Sequence, residues 1–137
     1  MMLLTADCIP VAVARADGGR LAVLHAGWRG LEAGIVEAGA EAVGGEIVGA
    51  VGPGAGPCCY EVGEDVAVRL QARFGTDVVR DGRADLWLCA RRALEAAGAT
   101  DVAVAGECSI CNPDRYFSHR RDRGITGRQG VVGVLDG

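Results

Sequence analysis

The side chains best suited to chemistry in this sequence are Cys8 and His25. A thiolate and a neutral imidazole are natural ligands for zinc or copper, and either can also serve as nucleophile or base. Cys8 closes the run Thr5-Ala6-Asp7-Cys8, and His25 opens the run His25-Ala26-Gly27-Trp28-Arg29-Gly30. Taken alone, the pair fits a buried structural thiol and a hydrogen-bonded imidazole as well as it fits a reactive site.

A second constellation is Arg115-Tyr116-Phe117-Ser118-His119-Arg120-Arg121-Asp122-Arg123-Gly124. Arginines beside aromatics suit a phosphate or a purine, through forked hydrogen bonds and stacking. A solvated loop paired to Asp114 and Asp122 has the same composition.

The thiols form a third group. Cys108-Ser109-Ile110-Cys111 has the spacing of a metal knuckle, but no second Cys-x-x-Cys or His-x-x-x-His pair accompanies it. Cys58 and Cys59 are adjacent, and neighbouring side chains rarely point at one ion. The expectation is therefore that Cys58, Cys59, Cys108 and Cys111 are reduced, packed into loops, and share no zinc. The first residues lack the basic flank and long apolar run of an export signal, which implies a reducing, cytoplasmic compartment and no disulfide framework.

These residues must be positioned by the surrounding elements. Ile9 to Arg15 and Arg20 to His25 are apolar runs around Ala16-Asp17-Gly18-Gly19, which predicts a β-hairpin. If the turn has four residues, position 10 lies opposite His25 and Cys8 is a diagonal neighbour on the same face, with Cβ atoms roughly 7 Å apart. Leu31, Ile35, Ala38 and Ala42 predict a helix over 30–43, weakened at Gly34 and Gly39, and a strand over 46–51 follows. Gly52-Pro53-Gly54-Ala55-Gly56-Pro57 excludes regular structure and reads as a shaped loop.

Val66, Leu70 and Phe74 behind Glu64-Asp65 predict a second helix, and Asp85 caps a third that carries Leu86, Cys89, Ala93 and Ala97 and ends at Gly98. Strands are expected over 101–105 and 130–135, flanking a polar segment over 107–129. Helices alternating with strands give a mixed α/β (α+β) fold, a single domain over 1–137 without internal repeats. Half of the 137 residues are apolar, enough for one continuous core. A formal charge of -4 gives no general attraction to nucleic acid or to an anionic membrane, and no apolar run approaches the roughly 20 residues of a membrane span.

TADCIPV, HAGWRG, GPGAGPCCYEVG, CSIC and YFSHRRDRGITGRQ follow one another in the order found in the YfiH-like family, and the chain resembles that family from residue 3 to residue 135. Its members are variously called laccase-domain, multicopper polyphenol oxidoreductase or zinc-dependent purine nucleoside phosphorylase proteins. The resemblance implies layered helices and mixed sheets, with Cys8 and His25 as ligands of zinc, or of copper under the older naming. It also implies phosphorolysis of adenosine, inosine or methylthioadenosine, and deamination of adenosine by a metal-activated water at C6 of the purine.

On that resemblance Asp7 and Arg29 orient the ligands or the substrate, while Arg120, Arg121, Arg128 and Ser118 bind the nucleoside and phosphate. Family members are usually longer at the amino end, where a Val-His-Gly type motif supplies a further histidine ligand. The expectation is that this chain is the C-terminal portion of such a domain, and that a missing N-terminal half or a homo-oligomeric partner supplies the third ligand. A copper-dependent phenol oxidase and a non-catalytic, shortened interaction domain are the rival readings.

Overall fold

The two apolar runs around residues 16–19 pair in the register that a four-residue turn dictates: Pro10 lies opposite His25, Ile9 opposite Ala26, and the Arg15 N–H donates to the Arg20 carbonyl at 2.9 Å. The computed structural model describes residues 1–136. In chain order the elements are β1 (Met2–Thr5), β2 (Ile9–Arg15), β3 (Leu21–Ala26), α1 (Trp28–Ala33), α2 (Ile35–Val43), β4 (Ile47–Val51), α3 (Glu64–Phe74), β5 (Val79–Arg80), β6 (Arg83–Ala84), α4 (Leu86–Ala96), β7 (Val102–Val104) and β8 (Gln129–Val132).

The main sheet has the order β3-β2-β4-β7, antiparallel except for the β4–β7 pair. Strand periodicity divides its side chains between two environments. Ile9, Val11 and Val13 are wholly buried on one face. That face is covered by α2 and α4, which approach closely because two facing positions are glycine. A Cβ on Gly39 would fall 2.6 Å from Leu24 of β3, and a Cβ on Gly49 of β4 would fall 2.7 Å from Leu94 of α4. Leu94 and Val11 are fully buried, and each such aliphatic side chain contributes roughly 1.5–3 kcal/mol by leaving water.

The alternate residues of β3, Leu21, Val23 and His25, point to the other face. Gly133 closes on Leu21 and Val23 there, just beyond an antiparallel ribbon formed by β1 and β8. His25 therefore stands at the end of the hairpin, on the face away from α2.

Three expectations are corrected. The helix predicted over 30–43 is two helices, because Gly34 adopts a left-handed φ of 91° that ends α1 and starts α2. The last strand stops at Val132, opposite Met2, where its antiparallel partner β1, absent from the sequence reading, begins. The strand expected over 101–105 is only Val102–Val104. Elsewhere the local signals hold: Gly63 precedes α3, and the Asp85 carboxylate accepts the Leu88 N–H at 2.9 Å to cap α4. The mixed α/β architecture is as expected, and among the described residues no helix is long and apolar enough to cross a membrane.

Candidate functional site

Asp7 has a positive φ of 89°, a conformation that costs a non-glycine residue roughly 1–3 kcal/mol and persists only where its surroundings impose it. Three bonds do so. Oδ1 accepts from the Ser109 hydroxyl at 2.7 Å, Oδ2 accepts from the Arg120 N–H at 2.7 Å, and the Asp7 carbonyl accepts from the Ala55 N–H at 2.8 Å. The carboxylate is thus an internal anchor for two distant loops, and it is only 8% exposed.

The bend at Asp7 delivers Cys8 to a pocket of about 300 Å³ lined by Asp7, Cys8, His25, Trp28, Arg29 and Tyr60, with Leu86 of α4 among the apolar contacts. Three other depressions are as large, so volume does not single this one out; its convergent donors do. The structure places Asp7, Cys8, His25 and Arg29 in the lining of this one pocket. Sequence reasoning missed Tyr60, whose only signal was its place behind the glycine-proline loop.

Cys8 is half-buried, and a Cβ on Gly27 would lie 3.0 Å from its sulfur. Burial first, and then the charge of Asp7, push the Cys8 thiol above its ordinary value. A nearby cation is what would turn this thiol into a thiolate. Two arginines stack at the pocket: Arg29 lies 4.7 Å from the centre of the Trp28 ring, and Arg120 lies 4.5 Å from that of Tyr60. Burial pushes the Tyr60 hydroxyl up as well.

The arginine-rich segment divides. Arg120 borders the site on the Tyr60 ring, held by its N–H on Asp7 and by a guanidinium bond to the Glu61 carbonyl. The five N–H donors of the Arg121 guanidinium are engaged by the Ser109, Ile110 and Tyr116 carbonyls and by Asp122. Ser118 is buried, and its hydroxyl accepts the Arg121 N–H at 3.1 Å. Arg128 is exposed and turns onto the Thr126 and Gly127 carbonyls of its own loop. Arg120, Arg121, Arg128 and Ser118 all lie outside the pocket lining, and of the four Arg120 borders it through its stack on Tyr60.

The family model for multi-copper polyphenol oxidoreductase laccase matches residues 1–136. The chain belongs to this family. A purine nucleoside phosphorylase of Xylella fastidiosa is 42% identical over 135 residues, covering 90% of this chain and 52% of that relative. The Escherichia coli purine nucleoside phosphorylase YfiH is 33% identical over 135 residues, covering 92% of this chain and 55% of its own length. Among solved structures, YlmD of Geobacillus stearothermophilus superposes with a TM-score of 0.83 at 34% identity, covering 94% of this chain and 54% of the other. A Neisseria meningitidis protein does so with a TM-score of 0.86 at 32% identity, covering 94% and 57%. The chain spans about half the length of the curated relatives it matches.

A metal implied by this family needs ligands. In the pocket Cys8 and His25 offer a soft sulfur and an exposed imidazole, the donor types that zinc and copper take, whereas the Asp7 oxygens are already occupied by hydrogen bonds. A catalytic zinc generally has three protein ligands and one open position, so the pocket provides a fitting but two-donor set.

The one group of three or more close donors among the described residues lies elsewhere. The sulfurs of Cys58, Cys59, Cys108 and Cys111 are all within 4.8 Å of one another. This overturns the expectation that adjacent Cys58 and Cys59 diverge. They sit on a tight turn in which the Cys59 and Tyr60 N–H groups both donate to the Gly56 carbonyl, so successive side chains fan to one side rather than alternating as on a strand. All six thiols are free, and Cys89 is a core thiol pushed up to about 12 by burial.

Proposed function

We propose that this chain carries the Cys8–His25 portion of a zinc-dependent purine nucleoside phosphorylase, and that it corresponds to the C-terminal portion of its longer relatives. The observation that carries this reading is the convergence of Cys8, His25, Asp7 and Arg29 on one pocket in a chain whose relatives are named purine nucleoside phosphorylases. Cys8 and His25 would hold the ion, with a third ligand from a second copy or from further sequence. The substrates are adenosine, inosine and methylthioadenosine with phosphate, and adenosine also undergoes deamination. The compartment is cytoplasmic.

When bound, the ion supplies Lewis-acid chemistry. The remaining tasks fall to the chain. Asp7 fixes the backbone that presents Cys8 and, through the Arg120 N–H, holds the arginine-rich loop beside the pocket. Arg29 and Arg120, each braced on an aromatic ring, are the cations available at the pocket for phosphate. Trp28 and Tyr60 supply the flat apolar surface that a purine requires.

A chimaera in which this chain replaces the matching residues of the Xylella fastidiosa relative tests the reading. Zinc-loaded chimaera should release adenine from adenosine with phosphate and form inosine without it, and Cys8→Ala should abolish both. A folded, zinc-loaded chimaera inert on adenosine, inosine and methylthioadenosine would sink the proposal, and turnover of a phenol by a copper-loaded form would favour the oxidase reading. Residues 1–137 alone should bind zinc weakly at this pocket and turn over slowly.

A further inference from the structure

We propose that Cys58, Cys59, Cys108 and Cys111 bind a structural zinc ion, separate from the Cys8–His25 pocket and independent of it. A tetrahedral zinc with Zn–S bonds of roughly 2.3 Å requires sulfur–sulfur edges of roughly 3.8 Å. Cys58 Sγ and Cys111 Sγ stand 3.7 Å apart, and no pair of the four exceeds 4.8 Å. A disulfide would bring two sulfurs to roughly 2.05 Å. The spacing suits four ligands converging on one ion.

The surroundings are built for thiolates. The Gly56 N–H donates to Cys108 Sγ at 3.2 Å, and the Asn112 side-chain amide donates to Cys111 Sγ at 3.8 Å. Such donors outside the ligand shell stabilise sulfur-borne charge and orient the ligands. Gly56 can approach because it lacks a side chain: a Cβ there would meet Trp87 at 2.6 Å and the Cys108 Cβ at 3.1 Å. The two cysteine-bearing loops are also preassembled by backbone pairing, with the Gly54 N–H donating to the Glu107 carbonyl at 3.2 Å and the Ser109 N–H donating to the Gly54 carbonyl at 2.9 Å. Zinc binding releases the thiol protons to solvent and leaves four thiolates on the ion.

The zinc fastens the glycine-proline loop to the turn that leads into the arginine-rich segment. Both loops serve the candidate pocket. Tyr60 follows Cys59 directly, and Ser109, set between Cys108 and Cys111, donates to Asp7. The ion would therefore hold in place the two loops that shape the pocket from outside its ligand set.

The test uses the Cys8→Ala/His25→Ala variant of the 137-residue chain, so that only the thiol cluster can retain metal. Expressed with zinc and desalted, it should carry one zinc per chain by elemental analysis, and cobalt substitution should give the intense thiolate charge-transfer and tetrahedral d–d bands of a sulfur site. Adding Cys111→Ser should remove most of that zinc and weaken the charge-transfer band, while Cys89→Ser should leave both unchanged. A folded double variant without zinc, cobalt spectra lacking thiolate bands, or a Cys58–Cys111 disulfide found by peptide mass spectrometry would each overturn the site. Because the double variant has no pocket ligands, these outcomes are unaffected by failure of the nucleoside reading.

Discussion

The Ser109 hydroxyl donates to Asp7 Oδ1 at 2.7 Å across a sequence separation of 102 residues, joining the turn between two clustered cysteines to the strained residue before Cys8. Both partners are buried. An acceptor at this point is satisfied only by a correctly placed donor on the other loop, so the bond couples the order of the two regions.

Asp7→Asn should separate the two halves of this anchor. The amide oxygen can still accept from Ser109, but its NH₂ group would face the Arg120 N–H and leave that donor unpaired. A loss of about 1–3 kcal/mol is expected in urea denaturation. An unchanged midpoint would show that the Arg120 bond does not support the loop.

Gly27→Ala should weaken the pocket without disturbing the fold. The φ of -82° suits alanine, but the new methyl would stand 3.0 Å from the Cys8 sulfur and displace it by a few tenths of an ångström. Competition titration with a chromogenic chelator should show weaker zinc binding at the Cys8–His25 site only. Equal affinity in the two proteins would argue against Cys8 as a ligand.

Arg121→Ala should behave as a structural lesion. Its guanidinium ties three carbonyls and Asp122 together, and Asp122 lies below its ordinary carboxylate value chiefly through that bond to Arg121. Removing a charged donor shared by four partners leaves their acceptors unpaired, so the denaturation midpoint should fall measurably. A selective rise in KM for phosphate at unchanged stability would restore the anion-binding role.

Asp77 provides a pH dependence with a defined sign. Its carboxylate takes a forked hydrogen bond from Arg92 at 2.6 and 2.8 Å, which holds it at about 2 against an ordinary 3.8. A lowered folded value stabilises the protein above the unfolded value and is lost as pH falls through the folded one. The melting temperature of Asp77→Asn should therefore lie below that of the native chain at neutral pH, and the gap should close between pH 3.8 and about 2. A gap that persists at the acid end would assign the effect to packing.

The sequence by itself determined the local devices. Asp85 caps a helix and Ala16–Gly19 marks a hairpin turn, because each depends on a few neighbouring residues whose backbone preferences are intrinsic; the turn's length, and with it the register that sets His25 opposite Pro10, is fixed by the strand pairing. The motif order also revealed the family. What only the tertiary structure decided were pairings between distant segments. Adjacent Cys58 and Cys59 converge because a turn reverses the chain and a second loop, nearly fifty residues on, brings Cys108 and Cys111 to meet them. Of four residues read alike from the arginine-rich segment, Arg120 is tied to Asp7 and stacks on Tyr60 at the pocket's border, while Arg121, Ser118 and Arg128 bond within residues 109–128. Residue type specifies how many hydrogen bonds a side chain can make; which partners it finds is settled when distant backbone segments pack together.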